Sequence, residues 1–452
     1  MKKQTGILKG AIILGAGSLI AKIIGAIYRV PLTNVLGSEG LGLYQMVFPL
    51  YCVLLDFSGC ALPSALSKII ASNKENKEEN ALTYFYGSAK LFSIIGAIFS
   101  LFMVIFAKPL AILQGNEKAT LSYIFLAPSI FAVSLISCFR GYFQGQTNML
   151  PTSTSQVVEQ LIKLFFGLFL AYIFMPNVKL ASGGATLAVT ISEYVALLML
   201  YLIFIRHKKN TLPNFNYNKT NFNVKKVIKL FIPITLIGIL IPLSQTADSF
   251  IIINLLKNYT KNATSLFGIF SGAVSSIINL PVAICYGISS TAIPTISKQE
   301  NIKNKKKLGV KALLLTLLVS VLSAVLLFFT ADKVISILYK RFNKEEYLVA
   351  VNLLRIMCVN VVFISVMQTQ NAILIALNKV FRPIISMGVA ILIKTILEII
   401  LLKNPNINIY GGAYSLIACY FIICLVNLFM IFFVKANQNG KGIKVRQQQN
   451  KE

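Results

Sequence analysis

Lys22 and Arg29 stand seven residues apart in a run of apolar and small side chains near the start of the chain. Seven residues is two turns of α-helix, so both cations project from one face. Arginine offers a planar fork of donors that matches a phosphate or carboxylate, and lysine a compact point charge. No acid lies on the same run within one turn of either. Such a face would draw an anion, phosphate or pyrophosphate above all, unless Asp56 or Asp248 on other runs neutralises one cation across a helix bundle. Further charges are embedded in the same way. Glu159 precedes Lys163 by four residues and Lys394 precedes Glu398 by four, so each pair can neutralise itself on one helix or line a cavity. Glu193 is the remaining embedded acid. Lys90 and Arg355 lie within two turns of a run's end, where a long side chain extends to the interface.

These charges matter because of where the composition puts them. Of 452 residues, 56% are hydrophobic and 13% charged, with a mean hydropathy of +0.73. An average globular chain is about 25% charged. The net charge of +28, from 43 Lys+Arg against 15 Asp+Glu, would suggest a nucleic-acid partner in a soluble protein. A chain this apolar has too little polar surface for that, and reads as a polytopic membrane protein with no nucleic-acid partner. A charge at mid-bilayer costs about 2.5–3.5 kcal/mol on insertion scales, so an embedded one faces a cavity or a partner. Other chemistry is absent. The sole histidine, His207, lies in the basic stretch 206–209, the seven cysteines form no CxxC, and no Walker A, GxSxG or HExxH motif occurs. No enzyme, metal site or cofactor is expected.

A spanning helix needs about 20 largely apolar residues. Twelve segments fit, beginning with 10–36 and 41–71, with the seventh at 227–256 and the last at 409–434. The glycine-rich stretch Gly37–Gly42 reads as a tight turn between the first two. The alternation places 27 of the basic residues, Arg140 among them, on the N-terminal side of the membrane, 10 on the other side and six inside. Basic residues collect on cytoplasmic loops, so both termini are expected in the cytoplasm of a plasma-membrane protein. The chain also repeats itself. Pro151 and Lys163 recur as Pro383 and Lys394, and Gly183-Gly184-Ala185 recurs as Gly411-Gly412-Ala413. Six spans per copy make the repeat parallel, with a shared cavity between copies. The expected organisation is a six-helix lobe at 1–206, a cytoplasmic linker at 207–226, a second six-helix lobe at 227–434 and a cytoplasmic tail at 435–452. Two parallel lobes around a central site describe an alternating-access transporter.

The stretch Gly15–Leu32, which contains Lys22, Gly25 and Arg29, and the stretch Gly37–Gln45 resemble the polysaccharide-transporter branch of the MOP flippase superfamily. The resemblance is greatest to the stage V sporulation protein B group, with lipid II flippases more distant. It implies a V-shaped pair of lobes that moves undecaprenyl-pyrophosphate-linked sugars, or peptidoglycan-type precursors, to the outer leaflet. It also implies a basic-x-x-Gly-x-x-Arg pattern on the first helix. Lys22 and Gly25 fit that pattern, Arg29 falls one position late, and Asp56 stands near where a second-span cation is expected. The related proteins often have fourteen spans, so twelve would leave out a helix pair that forms a lipid groove. On this reading Lys22 and Arg29, with Lys163 and Lys394, hold the anionic head of a lipid-linked glycan. The proline-broken helices at Pro31 and Pro233 act as hinges. Asp56, Glu159, Glu193, Asp248 and Glu398 serve as counter-charges or couple transport to H+ or Na+. Membrane lipids and cell-wall synthesis proteins are the partners this implies. A multidrug/cation antiporter of the same architecture would instead need Asp248 or Glu193 and dispense with Lys22. A non-transporting scaffold of cell-wall assembly would tolerate loss of every embedded charge.

Overall fold

The computed structural model describes residues 2–72, 77–211, 222–297, 299, 301–377, 379 and 381–432, and the described part is helical throughout with no strand. Residues 212–221 of the expected linker and the whole expected tail at 435–452 lie outside the described residues. In chain order the first half contains α1 (Lys2–Leu55), α2 (Leu62–Ser72), α3 (Lys77–Ile105), the short α4 (Ala107–Leu113) and α5 (Thr120–Leu126), α6 (Pro128–Gly145), α7 (Leu150–Phe174) and α8 (Val178–Thr211). The second half contains α9 (Val224–Gly238), α10 (Leu240–Leu256), α11 (Ala263–Phe267), α12 (Ser275–Ser297), α13 (Ile302–Leu338), α14 (Lys344–Met357), α15 (Val359–Ala376), α16 (Arg382–Leu402) and α17 (Tyr410–Phe432).

Among the described residues ten helical runs are long and apolar enough to cross a membrane, or eleven when α9 and α10, bent by 44°, count as one span. The first of them, Ile13–Ser72, is 60 residues long. At a rise of about 1.5 Å per residue it would measure about 90 Å, three times the hydrocarbon thickness. Gly37 breaks it, at φ 69° and ψ −176°. That left-handed φ is cheap only for glycine, and the break turns this run into two crossings, which makes twelve. The expected turn at Gly37–Gly42 is therefore a single-residue break, with Ser38 onward already helical.

The proline hinges are not where the sequence suggested. Pro31 lies inside the helical course of α1 and Pro233 inside α9. The actual breaks are Gly37, the π-helical turn Asp56–Cys60, and the α9–α10 junction at Ile239. A proline removes one backbone donor, which neighbours can compensate within a bundle, so the helix bends without ending.

The halves meet tightly at the end remote from the N-terminus. The Asn34 amide donates to the Leu338 carbonyl at 2.6 Å and accepts from the Lys340 amide at 3.0 Å, while Arg341 donates to the Val35 carbonyl and Ser38 to Glu346. Deeper in, Gln114 donates to Ser249 at 2.8 Å and Gln45 to the Ser271 carbonyl at 3.3 Å. Gly42 and Gly268 touch backbone to backbone. A Cβ built on Gly42 would lie 2.1 Å from the Thr264 carbonyl oxygen, and one on Gly268 would lie 2.3 Å from the Ser38 oxygen. One apolar core runs through this seam, from Leu41, Leu43 and Met46 to Phe267, Ile269 and Phe270. Nearer the N-terminal end, Cβ atoms on Gly15 of α1 and Gly287 of α12 would meet nothing within 4 Å, while α9 packs on the first half through Val227 and Phe231. The tight seam around Asn34, Gly42 and Gly268 is thus one of two places where the halves of the chain meet.

Candidate functional site

The face of α1 that carries Lys22 and Arg29 meets α12 of the second half. Lys22 is exposed, and its Nζ sits 3.9 Å from the centroid of the Tyr286 ring on α12. Arg29, two turns closer to the seal, is half-buried and donates from Nη1 to Ser276 Oγ of α12 at 3.3 Å. Both cations therefore reach from the first half to the second. Among the described residues neither forms an ion pair with an acid. The candidate neutralisers are accounted for elsewhere. Asp248 binds Lys394, and Asp56 lies in the π-helical turn against Gly238 at the α9–α10 break.

Lys163 joins this cationic face, though not through the partner its spacing suggested. Its Nζ lies 5.7 Å from the Tyr28 ring and 5.6 Å from the Phe48 ring, both on α1. Electron-rich ring faces hold a cation without neutralising it. Glu159, one turn earlier on α7, turns the other way. It accepts from Arg140 Nη2 at 3.1 Å and from Gln160 at 2.9 Å. Of the two alternatives open for Glu159 and Lys163, the pair does not form, and Arg140, counted from the sequence on the N-terminal side of the membrane, is engaged within the helix bundle. Arg140 is on α6 inside the bundle and also donates to Ser155 at 3.1 Å. Glu193 of α8 is buried and within hydrogen-bonding reach of Glu159. The carboxylates thus gather near Arg140, and Lys163 keeps its ammonium against the Tyr28 and Phe48 rings. The helix crossing that brings this about depends on close approach. A Cβ on Gly167 of α7 would fall 2.2 Å from the Tyr28 hydroxyl, and one on Gly25 would fall 2.9 Å from Gln160.

In the second half the equivalent lysine is neutralised. Lys394 of α16 is 1% exposed and binds both the Asp248 carboxylate and the Ser244 hydroxyl of α10. Glu398 lies 3.9 Å from the same ammonium, so the expected i,i+4 pair is present, with Asp248 the nearer acid. Both Glu398 carboxyl oxygens lack a hydrogen-bond partner. Asp248 borders an internal cavity of about 120 Å³ that also meets Gln245, Asn279 and Asn360, and the buried Asn360 amide has no partner on either atom. Lys394 therefore belongs to a closed acid–base cluster within the second half, not to the cationic face. Arg355 pairs with Asp332, while Lys90 is exposed, both away from this region.

The seam built around Asn34, Gly42 and Gly268 was not among the residues singled out from the sequence. Its signal was the glycine pattern at 37–42, read only as a turn. Among the described residues no group of His, Cys, Asp and Glu could hold a metal ion, and the seven cysteines are unpaired thiols.

The comparisons with known proteins agree with this architecture. The sequence matches the polysaccharide biosynthesis protein family over residues 7–300. It is 27% identical over 446 residues to stage V sporulation protein B of Bacillus subtilis, covering 94% of this chain and 83% of that one. It is 25% identical over 425 residues to the lipid II flippase MurJ of the same bacterium, covering 88% and 77%. Among solved structures, an inward-facing multidrug resistance MATE family transporter of the MOP superfamily superposes with a TM-score of 0.74 at 14% identity, over 91% of this chain and 94% of that one. Lipid II flippase MurJ in an inward closed conformation also gives 0.74, at 19% identity over 93% and 87%. The chain is a multi-pass membrane protein that belongs to the polysaccharide biosynthesis protein family.

Proposed function

We propose that this protein is a flippase that carries an anionic lipid-linked oligosaccharide or peptidoglycan-type precursor across the plasma membrane by alternating access. One observation carries the reading: Lys22 and Arg29 reach from α1 across to α12, Lys163 rests against rings of α1, and among the described residues none of the three forms an ion pair with an acid. Three cations at a cleft this close to hydrocarbon cost free energy unless a ligand repays it, and a diphosphate is the ligand whose charge and geometry they match. The polyprenyl tail stays in lipid between the halves. Residues 1–206 and 227–434 act as the two rocking lobes, with the outer seal closed in the state described above. The excess of lysine and arginine at the opposite end supports a cytoplasmic position for that end and for both termini. The relatives point the same way, since MurJ is named a lipid II flippase.

Coupling to H+ or Na+ falls to the acids held away from the cationic face, with Glu398 and Asp248 in the second half and Glu159 and Glu193 in the first. Asp56 at the α9–α10 break is a further candidate. Lys394 serves this cluster and does not touch substrate.

Proteoliposomes loaded with a pyrophosphate-linked polyprenyl sugar test the reading. The Lys22→Ala/Arg29→Ala variant should reconstitute normally yet lose outward movement of the lipid at least tenfold. The second reading, a multidrug antiporter, draws on the buried acids Asp248 and Glu398. It requires pH-dependent efflux of a cationic dye that survives the double variant and disappears in Asp248→Asn. Dye efflux with that pattern, together with lipid movement unchanged in the double variant, would replace the flippase reading.

A further inference from the structure

A second site lies on the opposite flank of the first half, away from α1 and its cations. Between α3, α6 and α8 runs an open groove of about 1010 Å³. Its floor is aromatic: Phe139 and Phe204 are buried, with Phe85 packed on Phe204 and Tyr86 against the edges of both. Its lips are large side chains left exposed, Leu198 at 57% and Tyr201 at 49%. At the end where α8 finishes, the groove closes on two lysines, Lys208 and Lys209, in the last turn of that helix. Lys208 is turned into the groove and is not spread over the surface. Its Nζ donates to the Tyr86 hydroxyl at 3.1 Å and stands 5.3 Å from the centroid of that ring. An apolar, ring-lined trough at membrane depth with a dibasic head at the interface has the charge pattern of a lipid turned inside out.

We propose that the α3–α6–α8 groove binds one anionic phospholipid, its acyl chain along the Phe139–Phe204 floor and its phosphate on Lys208 and Lys209. Charge complementarity selects this occupant. A zwitterionic lipid gains little from two lysines, whereas each lysine near an anionic headgroup favours it roughly five-fold. Tyrosines at the headgroup level suit the same depth. The site is separate from the substrate cleft, since Lys22, Arg29 and Lys163 do not line it. The leaflet is the cytoplasmic one if the orientation proposed above holds, and binding itself does not depend on that orientation.

The chain contains no tryptophan, which makes the test clean. Leu198→Trp, or the ring-for-ring Tyr201→Trp should the first fail to fold, places a sole fluorophore in the groove. Leu322→Trp on α13, 62% exposed on the other half, is the control. Each is reconstituted in nanodiscs of phosphatidylcholine containing a small fraction of acyl-brominated lipid, either phosphatidylglycerol or phosphatidylcholine. The groove reporter should be quenched several-fold more by the anionic brominated lipid, and the control equally by both. Lys208→Gln/Lys209→Gln should bring the groove reporter to parity and leave the control unchanged. Equal quenching of the groove reporter by the two lipids, or a preference that persists without the lysines, would overturn the proposal.

Discussion

Lys163 and Lys394 hold equivalent places in the two copies of the repeat, yet they meet different company. Lys163 rests against aromatic rings and stays available, whereas Lys394 is locked to Asp248 and Glu398. Duplication supplied the same residue twice, and its neighbours assigned it two tasks. Sequence reading found all of these charges, because a charge in an apolar run cannot be overlooked, but it could not see partners on other helices. Glu159 chose Arg140, nineteen positions back on α6, over Lys163 one turn away. Spacing along one helix permits a pair, and only packing decides it. The locked cluster makes a stability prediction. Lys394→Met strands two buried acids and should destabilise the protein by about 3–5 kcal/mol, as is usual when one partner of a buried pair is removed. Adding Asp248→Asn should recover much of that loss. Thermal unfolding in detergent reads both, and a single variant as stable as the parent would show that the cluster is not an interdependent unit.

Among the elements, α1 does the most. It carries the two cleft cations, breaks at Gly37, and then turns its second segment into the seal against the π-helical stretch Gly268–Val274. The helices and their number were legible from hydropathy, because length and apolarity are local properties. The break points were not: proline advertised Pro31 and Pro233, while the chain bends at Gly37 and Ile239. Two predictions belong here. Gly268→Val cannot be accommodated against the Ser38 carbonyl without parting the seam. It should raise labelling of Ser271→Cys by a membrane-impermeant thiol reagent from outside several-fold, and unchanged labelling would mean the seam is not the outer barrier. Asn34→Ala removes two bonds across the same seam, each worth about 0.5–1.5 kcal/mol. Spin labels placed across the seal should report an outward-open population raised roughly tenfold or more, and an unmoved distance distribution would exclude Asn34 as a latch.

For the molecule as a whole, the +28 charge divides into an orienting majority and a working remainder. Hydropathy assigns most of the basic residues to one face of the membrane, an expectation that comes from the sequence alone. The few inside divide again, into the neutralised (Lys394, and Arg140, which sequence reading had counted on the N-terminal side of the membrane) and the free-facing (Lys22, Arg29, Lys163). That last division needed three-dimensional packing, and it is what turns a basic membrane protein into a candidate carrier of anions. The most direct test is equilibrium binding of a short-chain polyprenyl pyrophosphate to the purified protein in detergent, beside a neutral polyprenol. The parent should bind the pyrophosphate and not the alcohol, with Kd rising at least tenfold in Lys22→Gln/Arg29→Gln and recovering in Lys22→Arg. Equal affinity for the pyrophosphate in the parent and the double variant would contradict the assignment of the cleft.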